Sequence, residues 1–298
     1  MAKAKTVAPA ARPGTTVARG NGAPPATGRV SAKTTAVAQA QALEAEIAGD
    51  SGRGFEEAGR EAYAVPFLRV LQDLSPQVKS KMPGYVPGAK PGMIFNTVTQ
   101  KFYDSVRVIP CHFTQSFIEW APERGGFVAS HPPGTALVRE AVREGGKNIL
   151  PNGNELMDTR SHFVLLLDEE EGTHDGALIA MSSTGLKISR RWMSQMRAAV
   201  LEVEGRIVQP PMFAWSYLLS SEEEANDKGS WYQWVVADRA RVEDPVLYRA
   251  AKQFGATMKS GAVKVNYEEE LRQTAGQGAP AGSGVPEDLG TDNTIGGM

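Results

Sequence analysis

The alternation of apolar and polar residues is clearest in residues 177–204, where a short strand leads into an amphipathic helix. Residues 177–181 are an apolar run of strand length, and Ser183 or Thr184 is suited to cap a following helix. At about 100° per residue, the next apolar side chains collect on one side of that helix, with only Leu201 out of place. They are Ile188, Trp192, Met193, Met196, Ala199, Val200 and Val203. The pattern predicts a helix that extends to Glu204 and buries Trp192.

The opposite side of the predicted helix carries four cations and one serine. These residues are Lys187, Arg190, Arg191, Ser194 and Arg197. Residues three and four apart are neighbours on a helix surface, so the cations form a stripe along it. We call Lys187, Arg190, Arg191 and Arg197 the cation stripe. Such a stripe is typical of a solvated helix face or of a surface that binds a polyanion.

Period-two alternation elsewhere predicts strands that follow one another mostly in hairpin order. The predicted strands are residues 93–97, 102–109, 111–120, 162–168, 177–181, 212–220 and 231–238. Helices are predicted at residues 35–47, at residues 136–144, and after Asp244 and Pro245, which suit an N-cap and a first helical position. The order favours an α+β fold with a curved antiparallel sheet, either an OB-like sheet or a barrel, with inserted helices.

Charge is distributed unevenly along the 298 residues, although the net charge is only −2. Residues 1–43 contain lysines and arginines but no acid, whereas residues 268–298 contain six acids and the single cation Arg272. We predict a disordered basic Ala/Pro/Gly-rich arm with a short helix at residues 1–54. A single nucleic-acid-binding domain is predicted at residues 55–267, and an acidic, Gly-rich flexible tail at residues 268–298. The asymmetry indicates nucleic-acid contact, or else two disordered ends kept soluble by their charge.

Several classes of chemistry lack their motifs. The lone Cys111 excludes an intramolecular disulfide framework and a Cys-rich zinc site. The phosphate-binding loop, the dinucleotide fingerprint, the H-E-x-x-H motif and the G-x-S-x-G elbow do not occur. Cys111 and His112 are adjacent, so in a strand they point to opposite faces and cannot act as a nucleophile and its base. We therefore expect no catalytic residues, no metal and no cofactor, and hence not an enzyme.

Apolar runs long enough to span a membrane are absent from the sequence, and the N-terminal lysines are not followed by an apolar segment. We expect a soluble intracellular protein that does not contact a membrane.

Aromatic residues interleaved with cations offer a second element of a binding surface. Single-stranded nucleic acid stacks its bases on aromatic side chains, at about 1–3 kcal/mol per base, while nearby Lys and Arg follow the backbone. A sheet also needs aromatic residues for its core, so each one is open to both interpretations. Those beside polar residues are predicted to be exposed and to stack on bases; they are Tyr103, Trp120, Tyr232 and Trp234. The predicted phosphate contacts are the cation stripe, with Arg107 and Lys90 in support.

Three passages resemble tailed-phage replication-region proteins of the single-stranded DNA-binding type. They are residues 65–76, residues 87–97, and residues 183–187 with Arg190, Arg191 and Trp192. The resemblance implies an OB-type core, single-stranded DNA as ligand, and a role in phage-type replication or recombination in the host cytoplasm. In that class an acidic tail commonly recruits replication proteins, which are a second expected partner.

The alternative is a phage structural or host-takeover protein-interaction module without nucleic-acid binding. In that case the cation stripe would meet an acidic protein, and the aromatic residues would form the core.

Overall fold

The computed structural model describes residues 30–57, 64–168, 172–227 and 229–261. The chain divides into two compact units, Met1–Ala58 and Gly59–Met298. The first contains helix α1 (Val30–Gly49), which includes the helix predicted at residues 35–47 and is longer than it. The disorder predicted for residues 1–29 and for the acidic tail lies outside the described residues. Among the described helices, none is both long and apolar enough to cross a membrane.

The described residues of the second unit form thirteen strands and three helices. The strands are β1 (Leu68–Val70), β2 (Ile94–Asn96), β3 (Phe102–Tyr103), β4 (Val106–Trp120), β5 (Phe127–His131), β6 (Val142–Glu144), β7 (Lys147–Ile149), β8 (Glu155–Asp168), β9 (Thr173–Ser182), β10 (Leu201–Val203), β11 (Arg206–Val208), β12 (Trp215–Asn226) and β13 (Gly229–Arg241). The helices are α2 (Ala136–Glu140), α3 (Gly185–Ala198) and α4 (Pro245–Lys259). Short 3-10 turns occupy Pro76–Val78, Pro122–Arg124 and Met212–Ala214.

Two long antiparallel strands, β4 and β8, form the centre of an eight-stranded sheet. At one end of this pair the order is β13-β12-β4-β8-β9, and at the other end it is β5-β4-β8-β7-β6. The two strands predicted at 102–109 and 111–120 are in fact largely one strand, β4. Its register shifts between Pro110 and His112, and a bulge of this kind accommodates a proline, which has no N–H for the ladder.

One short segment, residues 66–72, contacts both edge strands of the β13-β12-β4-β8-β9 part of the sheet. At β9, the backbone N–H of Leu178 donates to the carbonyl of Pro66 at 2.9 Å. At β13, the Gln72 amide donates to the carbonyl of Tyr232 at 2.9 Å and accepts from its N–H at 2.8 Å. The segment therefore spans the sheet from one edge strand to the other.

The prediction of a mixed helix and antiparallel-sheet fold is confirmed. The described strands do not form a closed barrel, since β9 and β13 do not pair with each other. The more specific OB-like assignment stays a prediction.

Helices α3 and α4 lie on opposite faces of the sheet, as two adjacent residues of β8 show. His162 stacks on Trp192 of α3, whereas Phe163 belongs to a buried cluster with Met258 of α4. The small sheet β1-β2-β3 covers the α3 face together with that helix, through Leu68, Val70 and Ile94. On the α4 face, Asp244 caps the helix as predicted, accepting from the N–H of Val246 at 2.7 Å.

Helix α3 is shorter than predicted, and the predicted burial of Val200 and Val203 is wrong. The helix ends at Ala198, Ala199 is extended, and the chain enters the β10–β11 hairpin. Glu204 and Gly205, with φ of 50° and 73°, form the tight turn of that hairpin. Val200 is 62% exposed and Val203 is 44% exposed. The apolar pattern continues past Ala198 to Val200 and Val203 because apolar spacing in a short hairpin matches helical spacing over one turn.

Candidate nucleic-acid interface

Helix α3 is held on the sheet by uncharged, fully buried contacts. Trp192 has no exposed surface, as predicted; its ring stacks on His162 with a centroid distance of 4.7 Å and meets Tyr217 edge-on at 5.6 Å. The Nε2 atom of His162 lies 2.8 Å from the Ser189 hydroxyl. Burial, with a smaller effect from Arg160, lowers the pKa of His162 to about 3, so this histidine is neutral at pH 7. These contacts fix the position of the helix and therefore of the side chains on its outer side.

The outer side of α3 carries the cation stripe, as the sequence predicted. Lys187, Arg190, Arg191 and Arg197 are all exposed. Within the described part of the chain, none of the four has a hydrogen-bond or ion-pair partner from its side chain. From the first to the last, at about 1.5 Å of rise per residue, the stripe is about 15 Å long. Positive charges that the protein itself leaves unneutralised on a rigid helix suit a polyanion.

The two supporting cations differ in their positions. Arg107 is half-buried and forms an ion pair with Asp238, to whose carbonyl it also donates at 3.2 Å. Its neighbours Val106 and Val108 lie in the core under α3, so Arg107 points to the other face of β4. The structure therefore does not bring Arg107 to the cation stripe.

Lys90 is exposed in the proline- and glycine-rich loop before β2. This loop packs on the β12–β13 hairpin at Gly92, where an added Cβ would lie 2.8 Å from the Tyr232 ring. The carbonyl of Gly92 also accepts from the Ser221 hydroxyl. The loop is thus fixed beside one of the predicted stacking residues.

The prediction that Trp120 and Trp234 are exposed is wrong. Trp120 is 6% exposed and packs edge-on against Phe127 in the cluster on the α4 face. Trp234 is 7% exposed and lies in the core under α3 and the small sheet. The polar residues beside them in the sequence are no guide, because other strands and helices cover both indoles. In these positions neither indole is available to stack on a base.

Tyr103 and Tyr232 are both half-buried and pack against the same core cluster as α3. They consequently lie on the same face of the main sheet as the cation stripe. Of the four predicted stacking residues, these two are not fully buried.

Two further features on the α3 face were not predicted. The Arg239 guanidinium lies over the half-buried Trp215 ring, with its Cζ 4.7 Å from the ring centroid, a cation–π contact. The pairing of β12 with β13 creates it, and the alternation of aromatics in residues 213–217 was its only sequence signal.

The second feature is a cleft of about 510 Å³ between the C-terminal half of α3 and the segment that precedes Trp215. It is lined by Met193, Ser194, Met196, Arg197, Gln209, Pro210, Pro211 and Met212. Nothing in the sequence pattern indicates that these two stretches meet. Arg197 belongs both to the cleft and to the cation stripe.

A buried carboxylate, Glu119, lies at the far end of β4 and is fully satisfied by its neighbours. His131 contacts it at 2.7 Å, and the side-chain amides of Asn152 and Asn154 donate to it at 3.3 and 2.5 Å. Burial alone raises the pKa of Glu119, but these hydrogen bonds outweigh burial and hold the pKa below its usual range. Both oxygens of Glu119 are therefore hydrogen-bonded within the fold. This carboxylate joins two hairpins and has no free oxygen for chemistry.

The Cys111 thiol and the possible metal ligands do not form a reactive site in the described part of the chain. Burial raises the pKa of the Cys111 thiol to about 12, which disfavours the reactive thiolate. Among the described residues, no group of three or more His, Cys, Asp and Glu side chains is placed to hold a metal ion.

Comparisons with known proteins give one match. Neither the curated proteins nor the solved structures compared with the chain match it. A family profile described as Pam3 phage gp34-like protein matches residues 32–264, which include the described strands and α3 with its cation stripe. The chain therefore belongs to the Pam3 phage gp34-like protein family.

Proposed function

We propose that this protein is a non-enzymatic, sequence-tolerant single-stranded DNA-binding protein that supports phage-type DNA replication or recombination. The observation that carries the proposal is the cation stripe of α3, whose four charges have no partner among the described residues while the helix beneath them is locked to the core. Cations that contact phosphates bind without reading sequence, because phosphates are the same at every nucleotide.

Aromatic surface on the same face supplies the second element that a single strand requires. Tyr103 and Tyr232 are half-buried and pack against the core cluster beneath α3. Bases of a single strand are free to stack on such rings, whereas those of a duplex are already stacked on each other. The family's phage association supports a role in phage DNA metabolism.

The proposal extends to the fold, the partners and the place of action. It retains the OB-like character of the curved sheet, with Lys90 in a supporting role beside Tyr232. It keeps replication proteins as a second partner, recruited by the acids of residues 268–298, and it assigns the protein to the host cytoplasm. It requires no metal or cofactor.

A paired comparison of charge variants tests the function. Arg190→Ala/Arg191→Ala removes two cations from the stripe, and Arg249→Ala/Lys252→Ala removes two exposed cations from α4 on the opposite face. The first variant should weaken binding to labelled oligo-dT at least about tenfold, or about 1.4 kcal/mol. The second should bind as the wild type does, since it changes the net charge equally but not the proposed site. Equal affinities for both variants, measured by fluorescence anisotropy, would contradict the proposal.

One observation favours the second candidate, a protein-interaction module. The β10–β11 hairpin exposes several aliphatic side chains, with Ile207 at 78% and Val203 at 44%. Exposed apolar surface of this kind marks protein contact sites. This candidate predicts that the wild type has no measurable affinity for oligo-dT even at low salt, so the same titration decides between the two functions.

A further inference from the structure

The cleft beside α3 combines an apolar lining with a few polar groups at its rim. Three methionines, Met193, Met196 and Met212, come from both of its sides, and Pro210 and Pro211 complete the apolar part. Ser194 and Gln209 contribute neutral polar groups from opposite sides. Its volume of about 510 Å³ lies in the range of small-molecule sites, about 300–1,000 Å³.

Building on the proposed function, we propose that this cleft receives one nucleobase of the bound single strand. Arg197 is both the last member of the cation stripe and part of the cleft lining, so a phosphate held there has its own base within reach of the cleft. Methionine sulfur makes favourable contacts with aromatic rings and adapts its shape, which suits a site that accepts any base.

The polar groups of the cleft suit the edge of a base, which carries hydrogen-bond donors and acceptors. The Gln209 Nε2 atom donates to the carbonyl of Arg197 at 3.2 Å, which fixes the amide in place. Its Oε1 atom has no partner among the described residues, so it is available to accept from a base amino or imino group. The Ser194 hydroxyl, which donates or accepts, faces the same space from α3. The positive charge of Arg197 at the rim matches a phosphodiester. The experiments below distinguish a base from a second copy of the chain as the occupant.

Filling the cleft while leaving the cation stripe intact tests the inference. Ser194→Trp places an indole in the cleft from an exposed position, and Gln195→Trp adds the same side chain at the next position, which does not line the cleft. Each variant and the wild type are titrated with labelled oligo-dT and with an abasic oligomer of equal length. Ser194→Trp should lose about tenfold in affinity for oligo-dT, within the range for one stacked base, and nothing for the abasic strand. Gln195→Trp should lose neither.

A second variant keeps the test valid if Ser194→Trp does not fold. Gln209→Ala removes an exposed amide and should lower the ratio of oligo-dT to abasic affinity about threefold or more. If Ser194→Trp and Gln209→Ala both keep the wild-type ratio, the cleft holds no base and the inference is overturned, while DNA binding by the stripe stands. If the wild type binds neither oligomer, both proposals fall.

Sedimentation velocity of the same proteins tests a second copy of the chain as the occupant of the cleft. Dissociation of a wild-type oligomer by Ser194→Trp, with unchanged affinity for oligo-dT, would assign the cleft to contacts between copies and overturn the inference. An unchanged sedimentation coefficient together with the lost base dependence supports it.

Discussion

Lowering the pH from 7 to 5 should destabilise the fold through His162, the residue on which Trp192 of α3 stacks. Burial lowers the pKa of this histidine from 6.5 to about 3 in the folded state. Between these values the unfolded chain binds a proton that the folded chain does not. Stability is therefore at its full value above pH 6.5 and falls as the pH drops toward 3.

The size of the loss at pH 5 follows from the unfolded state. The imidazole is almost fully protonated in the unfolded chain at pH 5, about 1.5 pH units below its ordinary pKa, while the folded form is still neutral. At about 1.4 kcal/mol per pH unit, the contribution of His162 is a loss of about 2 kcal/mol of the free energy of unfolding. Because pH 5 is well above the folded pKa, the depth of that pKa hardly changes this figure.

Urea unfolding at pH 7 and at pH 5, followed by circular dichroism, measures this loss. His162→Gln keeps a hydrogen-bonding group near Ser189 but cannot titrate, so its loss between the two pH values should be about 2 kcal/mol smaller than that of the wild type. The control is His112→Gln, because His112 is half-buried and burial, with the nearby Lys259, also lowers its pKa. That variant should retain the His162 component. Equal pH dependence in the wild type and His162→Gln would refute the claim that His162 is neutral and buried where it contacts α3.

Three further predictions concern the packing that positions α3 and α4. Trp192→Ala should cost about 3–5 kcal/mol of unfolding free energy in urea melts, because a fully buried indole is removed; a loss below about 1 kcal/mol would show that α3 is not anchored there. Gly255→Ala should destabilise by about 1–3 kcal/mol or more, since the new Cβ would overlap the Cys111 carbonyl, whereas a neutral melt would contradict the close approach of α4 to β4. Cys111 should resist a thiol reagent until urea unfolds the protein; rapid native-state labelling would contradict its burial.

The amphipathic helix was predictable because its signal is local. The spacing of Trp192 and Met196 against Arg190 and Arg191 fixes which side of a helix is buried, whatever the helix packs on. Asp244 before a proline likewise marked the start of α4, since capping depends on neighbouring residues only. The mixed character of the fold followed from strand patterns in hairpin order.

Exposure of individual aromatic residues was not predictable, because it depends on segments that are far apart in the sequence. Trp234 has polar neighbours in its strand, yet the segment of residues 66–72 and the small sheet cover that part of β13. The sequence gives no sign that Arg107 is paired, because its partner Asp238 is 131 residues away and reaches it only through the position of β13. The cleft depends in the same way on how the chain returns after the β10–β11 hairpin, which residue spacing does not encode.

The salt dependence of oligo-dT binding tests the central claim, that the cation stripe of α3 contacts phosphates, most directly. Binding to a single strand loses affinity with a log–log slope of about −0.7 for each phosphate contacted. The wild type should show a steep slope, and Arg190→Ala/Arg191→Ala a slope shallower by about 1.4, while Arg249→Ala/Lys252→Ala keeps the wild-type slope. A slope near zero in the wild type, or one that the α3 and α4 variants change equally, would contradict the claim.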